Sequence, residues 1–279
     1  MSQKPRLDEL LVRRGFFPDV HAAQAAVLAG EVIVDEHRET SAGRRLRDDV
    51  SIRLKVKKDK DRLGFVSRGG GKLAAALEAF SFDPAGLSCV DLGASTGGFT
   101  DCLLQHGAQR VSAVDVGTNQ FDWGLRNDPR VSVFEQTNVV GIDVAAVGGP
   151  FGLAVSDLSF ISLTRVLADV ARLLVEDGSF IALIKPQFEV AKRDVGERGI
   201  VRDRALHAQS IAKVLSASGE AGLVPQGLTY SPVQGRDGNI EFLFLARRLP
   251  AGSPWGSTIE PYQIEKVVDD AHAALGGKK

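Results

Sequence analysis

From Leu87 onward the chain alternates short apolar runs with helical stretches, a rhythm that few folds can accommodate. Strand-like runs fall at Leu87–Leu92, Val111–Val116, Val131–Phe134, Leu153–Val155 and Phe180–Ile184. The alternation predicts an α/β fold, a Rossmann-like doubly wound sheet that is mostly parallel. Two late runs, Val224–Thr229 and Ile240–Leu245, are joined through SPVQGRDGN, too short for a helical crossover. They are expected to pair as an antiparallel hairpin at the sheet edge. A final helix, Tyr262–Leu275, places Ile264, Val267, Val268, Ala271 and Leu275 on one face and ends at Gly276.

The first 62 residues read differently. Leu7, Leu10 and Leu11 fall at helical spacing within Arg6–Arg14, and Gly15 follows as a cap. A second helix is expected over Val20–Ala29, stopping at Gly30. Val32–Val34 and Ser51–Lys57 read as strands; the latter sets Ile52, Leu54 and Val56 against Arg53, Lys55 and Lys57. The expected division is therefore a small α+β domain at 1–62, with Lys57–Gly64 as a polar link, and a large domain at 63–279. Residues 1–62 carry 14 Lys+Arg against 11 Asp+Glu, about +3, while the remainder holds 20 against 24, about −4. Within Arg44–Arg62 nine basic residues face four acidic ones. A basic segment on a near-neutral chain suits a polyanionic partner. On charge alone, a solvated hairpin explains it equally well.

Composition narrows the classes further. With 44% hydrophobic and 25% charged residues the chain is ordinary for a globular protein. No apolar run approaches the ~18 residues of a membrane span, and the charged N-terminus has no signal-type core. Cys89 and Cys102 offer neither a disulfide framework nor a metal site, so a reducing, cytoplasmic setting and no metal are expected.

The strongest local signal is Val90-Asp91-Leu92-Gly93-Ala94-Ser95-Thr96-Gly97-Gly98-Phe99-Thr100, an apolar strand, a glycine-rich turn and the start of a helix. Such a turn lets backbone approach a ligand closely and aims helix N–H groups at it. A Walker loop needs Lys-Ser/Thr after its last glycine, where this chain has Phe99-Thr100; a dinucleotide fingerprint needs G-x-G-x-x-G, where this is G-x-x-x-G-G. Asp91 at the strand end is placed as in methyltransferases that hold the amino-acid part of S-adenosylmethionine. Asp115 ends the next strand, 24 residues on, and suits ribose hydroxyls. Asn138, in Gln136-Thr137-Asn138 after the third strand, sits where such folds meet adenine. Gly93, Ser95, Thr96, Gly97, Gly98 and Phe99 complete the expected cofactor set. Taken singly, Asp115 is also a turn former and Asn138 a helix cap, and a nucleotide or NAD site stays open.

Four further residues stand out. Lys72 follows Ser67-Arg68-Gly69-Gly70-Gly71, Asp157 ends the fourth strand, Lys185 ends the fifth, and Glu241 sits in the late hairpin. Strand ends line the ligand crevice of an open α/β sheet, and a lysine directly after Ile-Ala-Leu-Ile must be paired or mark a site. The motifs SRGGGKL, DLGASTGGFTDCLL, SDLSFIS, LIKPQFE and GNIEF together resemble the TlyA family of ribosomal RNA 2′-O-methyltransferases, whose catalytic domain is of FtsJ type. The resemblance spans nearly the whole chain. It implies S-adenosylmethionine as cofactor, ribosomal RNA or ribosomal subunits as partner, no membrane, no obligate protein partner, and a catalytic tetrad of Lys72, Asp157, Lys185 and Glu241. The first 62 residues resemble the alpha-L RNA-binding module. Asp19-Val20 stands where that module has a Ser/Thr-Arg pair, which puts RNA binding on Arg6, Arg13, Arg14, Arg44, Arg45, Arg47 and Lys55. Leu63-Gly64-Phe65-Val66 replaces the Arg-x-Trp-Val linker of some members.

Methyl transfer to a ribose hydroxyl is an in-line displacement helped by positioning and by a base. A lysine serves as base only as the neutral amine, a form favoured by a second ammonium nearby and by desolvation. Lys185 is expected as the base, Lys72 as its neighbour orienting the hydroxyl, Asp157 beside Lys185, and Glu241 holding Lys72. An ion-pair network stabilising the hairpin is the structural alternative for all four. Rival functions are a membrane-active haemolysin, a label relatives often carry, a non-catalytic RNA binder, and an NAD-dependent oxidoreductase. The acidic polar side of Tyr262–Leu275 disfavours the first, and the loop spacing disfavours the last.

Overall fold

The computed structural model describes residues 4–17, 19–28, 30, 32–35, 37–54, 64–235, 238–250 and 259–276. The chain divides into two compact units, residues 1–60 and 61–279. Lys55 and residues 57–63 of the expected 57–64 link lie outside the described residues, as does Ala29 at the end of the second expected helix.

The first unit contains helices α1 (Leu7–Arg13) and α2 (Val20–Leu28) and strands β1 (Val32–Val34), β2 (His37–Glu39) and β3 (Ile52–Leu54), in the order β2-β1-β3 and all antiparallel. Leu7, Leu10 and Leu11 are buried with Ala23, Val27 and Val32. Gly15 stops α1 in a left-handed turn (φ 75°), its N–H reaching the Val12 carbonyl. Asp19 caps α2 by accepting from the Ala22 N–H at 2.9 Å.

The second unit opens with α3 (Arg68–Ala79), then β4 (Ser88–Leu92), α4 (Gly98–Gln105), β5 (Arg110–Val114), α5 (Trp123–Arg126), β6 (Val131–Phe134) and β7 (Phe151–Ser156). It continues with α6 (Leu167–Leu173), β8 (Leu174–Ile184), α7 (Pro186–Glu189), α8 (Arg204–Glu220), β9 (Leu223–Tyr230), β10 (Phe242–Arg248) and α9 (Pro261–Leu275). Seven strands form one sheet in the order β6-β5-β4-β7-β8-β10-β9. The first five are parallel; β10 runs antiparallel to both β8 and β9, giving the expected edge hairpin.

Alternation along the strands covers both faces. Leu92, Ala154, Phe180, Phe242 and Phe244 pack with residues of α6, α8 and α9, while Cys89, Leu153, Ile181 and Leu243 pack with α3 and α4. Several boundaries shift by one to three residues from the sequence reading, β2 (His37–Glu39) was not expected, and two of the differences have a physical cause. β8 begins at Leu174 rather than Phe180, because Leu174 pairs with Phe151 across a register shift while Val175-Glu176-Asp177 stays exposed. β5 stops at Val114 because the Asp115 carboxylate turns back to accept from the Gly117 N–H at 2.7 Å.

Candidate active site

The topology brings three candidate residues to one end of the sheet. β7, β8 and β10 are neighbours, and Phe242 of β10 lies opposite Ile184 of β8. Asp157, Lys185 and Glu241 are each one residue beyond those strands, so they leave the sheet side by side. Lys72 arrives on α3, whose N-terminal turn packs against the same place: a Cβ on Gly69 would lie 3.8 Å from an Asp157 carboxylate oxygen.

Two ion pairs result. Lys72 Nζ donates to Glu241 Oε2 at 2.5 Å, both residues buried. Lys185 Nζ lies 2.6 Å from Asp157 Oδ1 and donates to Ser159 Oγ at 2.9 Å and to the Asp157 carbonyl at 3.3 Å. Lys185 is only 7% exposed, whereas the Asp157 side chain keeps 23% of its surface open, so this pair has a solvent-facing side. Buried charges of this kind persist only when paired.

The glycine-rich turn adjoins this group. The Asp157 N–H donates to the Leu92 carbonyl at 3.2 Å, and Gly93 sits against Asp157 and Leu158. Gly97 precedes α4 with φ 93°, a conformation glycine adopts without strain. Gly98 is required for a different reason: a Cβ there would meet Ser67 Oγ at 2.2 Å and the Gly70 nitrogen at 2.9 Å, so it lets the starts of α3 and α4 touch. Phe99 is buried in the core, leaving only its backbone for a ligand, while Ser95 and Thr96 are exposed.

Beneath the turn, Asp91 is fully buried. One oxygen accepts from the Thr100 hydroxyl at 2.7 Å; the other has no partner. Burial pushes its carboxyl up to about 7, with the charges of Asp157 and Asp115 adding and the Thr100 hydroxyl opposing. Three carboxylates around one turn, with a buried oxygen left over, make a bowl short of positive charge. A sulfonium carrying an α-ammonium group matches that deficit, so the residues present fit S-adenosylmethionine. Asp115 already accepts from the Ser95 N–H at 2.8 Å and from Gly117, holding the turn shut against β5. Asn138 accepts from the Val140 N–H at 2.9 Å through its oxygen.

In the first unit the expected RNA-binding arginines all have intramolecular partners. Arg6 grips the buried Asp8 with two donors, at 3.0 and 2.7 Å, holding that carboxyl down at about 2. Arg13 pairs with Asp48, Arg44 with Glu39, and Arg47 with Asp49 at 3.0 Å. Arg14 donates to the Val50 carbonyl at 2.7 Å and Arg45 to that of Lys4 at 2.8 Å. A guanidinium has five donors, so each retains some for another acceptor. Lys55 lies outside the described residues.

Three contributors escaped the sequence reading. Ser159 fixes Lys185, and Thr100 fixes Asp91. Phe160 is 91% exposed, holds a left-handed φ of 64°, and its ring lies 5.4 Å from that of Phe188. The only signal was an aromatic residue set among small polar ones in SDLSFIS. Among the described residues no cluster of metal-ligating side chains occurs, and no helix is long and apolar enough to cross a membrane.

Residues 65–248 match the family described as FtsJ-like methyltransferase. The chain is 43% identical over 247 residues to 16S/23S rRNA (cytidine-2'-O)-methyltransferase TlyA of Mycobacterium tuberculosis, covering 88% of this chain and 91% of that protein. It is 38% identical over 239 residues to Hemolysin A of Brachyspira hyodysenteriae, covering 85% and 98%. A solved structure from Streptococcus thermophilus that carries a hemolysin name superposes with a TM-score of 0.73 at 38% identity, over 99% of this chain and 98% of that one.

Proposed function

The chain belongs to the FtsJ-like methyltransferase family, and from that membership we propose that it methylates a ribose 2′-hydroxyl of ribosomal RNA with S-adenosylmethionine. The observation that carries this reading is the convergence of Lys72–Glu241 and Lys185–Asp157 beside the acidic bowl under the Gly93–Gly98 turn. Relatives named as rRNA 2'-O-methyltransferases supply the substrate class.

The bound cofactor supplies an electrophilic methyl on a positively charged sulfur. Asp91 and Asp157 would face that charge, Asp115 the ribose and Asn138 the adenine. Asp157 then serves two cations at once, which weakens its stabilisation of the Lys185 ammonium; that ammonium gives its proton to solvent on the open side of the pair, and the neutral amine then takes the proton of the 2′-hydroxyl. Ser159 and the Asp157 carbonyl keep the Lys185 nitrogen in place through that exchange. Lys72, locked by Glu241, orients the hydroxyl oxygen. Phe160 offers an open aromatic face on which an unstacked base can rest while its ribose reaches Lys185. The first unit, richer in basic residues, grips the RNA elsewhere.

The test is incubation of the purified chain with S-adenosylmethionine and ribosomal subunits, followed by mapping of 2′-O-methyl positions. New 2′-O-methyl groups at discrete nucleotides are expected. Methylation confined to base atoms, or none on either subunit, contradicts the reading.

A further inference from the structure

The segment after Lys185 contains a turn that the reaction above does not use. Residues 196–201 fold back on themselves, with the Gly196 N–H donating to the Ile200 carbonyl at 3.1 Å. Asn239, 4% exposed, clamps this turn from below: its oxygen accepts from the Val201 N–H at 3.0 Å and its nitrogen donates to the Gly199 carbonyl at 2.9 Å. Asn239 lies two residues before Glu241, so the turn is fastened to the strand approach that carries a tetrad member. At its crest Arg198 is exposed in a left-handed conformation, φ 60° and ψ 19°, which a non-glycine residue holds only at a cost.

The cations of this segment are unusually free. Lys192, Arg198 and Arg202 are exposed, and among the described residues none has a carboxylate within ion-pair distance. Arg193 pairs with Asp194 at 3.8 Å, and Arg204 with Asp269. Of the three carboxylates between Lys192 and Arg204, Asp194 is so engaged, Asp203 caps α8, and Glu197 stays exposed. This contrasts with the first unit, where the six described arginines expected to bind RNA are all engaged internally. Arg68, one turn before Lys72 on α3, is likewise exposed without an ion pair among the described residues.

We propose that the Asn239-clamped turn at 196–201, with Lys192, Arg198 and Arg202, is a phosphate-contacting surface of the catalytic unit that steers the RNA backbone past the Lys185–Asp157 pair. The proposal rests on the RNA-methylating reading of the same site. A phosphate contact needs a free, solvent-reaching cation and not a shaped pocket. Anchoring the turn through a buried side chain fixes where the strand passes, which an untethered loop would not do.

The test uses the full chain, a fluorescently labelled ribosomal RNA transcript, and binding measured across a salt series. Arg198→Gly removes the charge while suiting the left-handed backbone, so its thermal midpoint is expected not to fall. Its log–log salt slope should flatten by about 1, and that of K192A/R198G/R202A by about 3, with RNA affinity falling each time. Arg198→Lys should restore most of the affinity, and all variants should bind S-adenosylmethionine like wild type. A triple variant with wild-type slope and affinity overturns the proposal while leaving RNA methylation standing. So does a result in which the triple variant loses binding only to phosphatidylserine vesicles. A wild-type chain that binds no RNA overturns both.

Discussion

At Asp91 the chain keeps a carboxylate out of water with one oxygen unpartnered, a costly arrangement unless a ligand completes it. Its carboxyl sits at about 7 instead of 3.8. Between those values the folded chain holds a proton that the unfolded chain has released, so this group's stabilisation is full below pH 4 and declines as pH rises through 7. Asp91→Asn should therefore raise the thermal midpoint at pH 8 while weakening cofactor binding. In the wild type, cofactor affinity should drop about tenfold from pH 8 to pH 6 as the carboxylate is neutralised; titration calorimetry at the two pH values reads this, and a flat profile would contradict it. Glu241→Ala strands the buried Lys72 and should cost about 3 kcal/mol in urea unfolding, whereas Glu241→Gln should cost less. Asp157 and Lys185 were legible in the sequence because strand ends are where an α/β sheet displays ligands, and a lysine closing an apolar run is conspicuous; Lys72 and Glu241 were joined to them only through the motifs of the family resemblance. Ser159 and Thr100 were not, since small hydroxyl residues near turns have many ordinary uses. Phe160 was obscured by the prior that phenylalanine goes inside.

Elements were read mainly from periodicity, which worked where one pattern dominated. The parallel strands and the β9–β10 hairpin follow from apolar runs and a connection too short for a helix. The early start of β8 was hidden by Glu176-Asp177-Gly178, a polar interruption that the strand accommodates by a register shift with Asp177 at φ 62°. The join between α8 and α9 was illegible as well, because it depends on residues 65 positions apart. His207 Nδ1 and His272 Nε2 approach to 3.0 Å, and the other His207 nitrogen meets the Val201 carbonyl at 3.0 Å. Burial pushes His207 down to about 4, with the Val201 carbonyl opposing and His272 adding to the shift; burial also lowers His272. The unfolded chain takes up its proton first, so this stabilisation is complete above pH 6.5 and is lost as pH falls through 4. Protection factors of α9 amides should fall on acidification from pH 7 to pH 5, and His207→Phe should suppress that fall.

Over the whole molecule, charge is distributed by task. The near-zero total conceals a basic first unit and an acidic remainder, and in the second unit Lys192, Arg198 and Arg202 of one segment stand outside any ion pair among the described residues. RNA affinity of the full chain should fall linearly with salt on a log–log plot, because neutralising phosphates releases counterions; a flat plot would remove the electrostatic basis for both surfaces. The central claim, that Lys185 is the base of a methyl transfer, is tested most directly by comparing Lys185→Ala with wild type for labelled methyl incorporation into ribosomal subunits and for S-adenosylmethionine affinity. The account predicts at least a hundredfold loss of transfer, on the order of what a positioned base contributes, with cofactor affinity nearly unchanged. Transfer within a few-fold of wild type would contradict it.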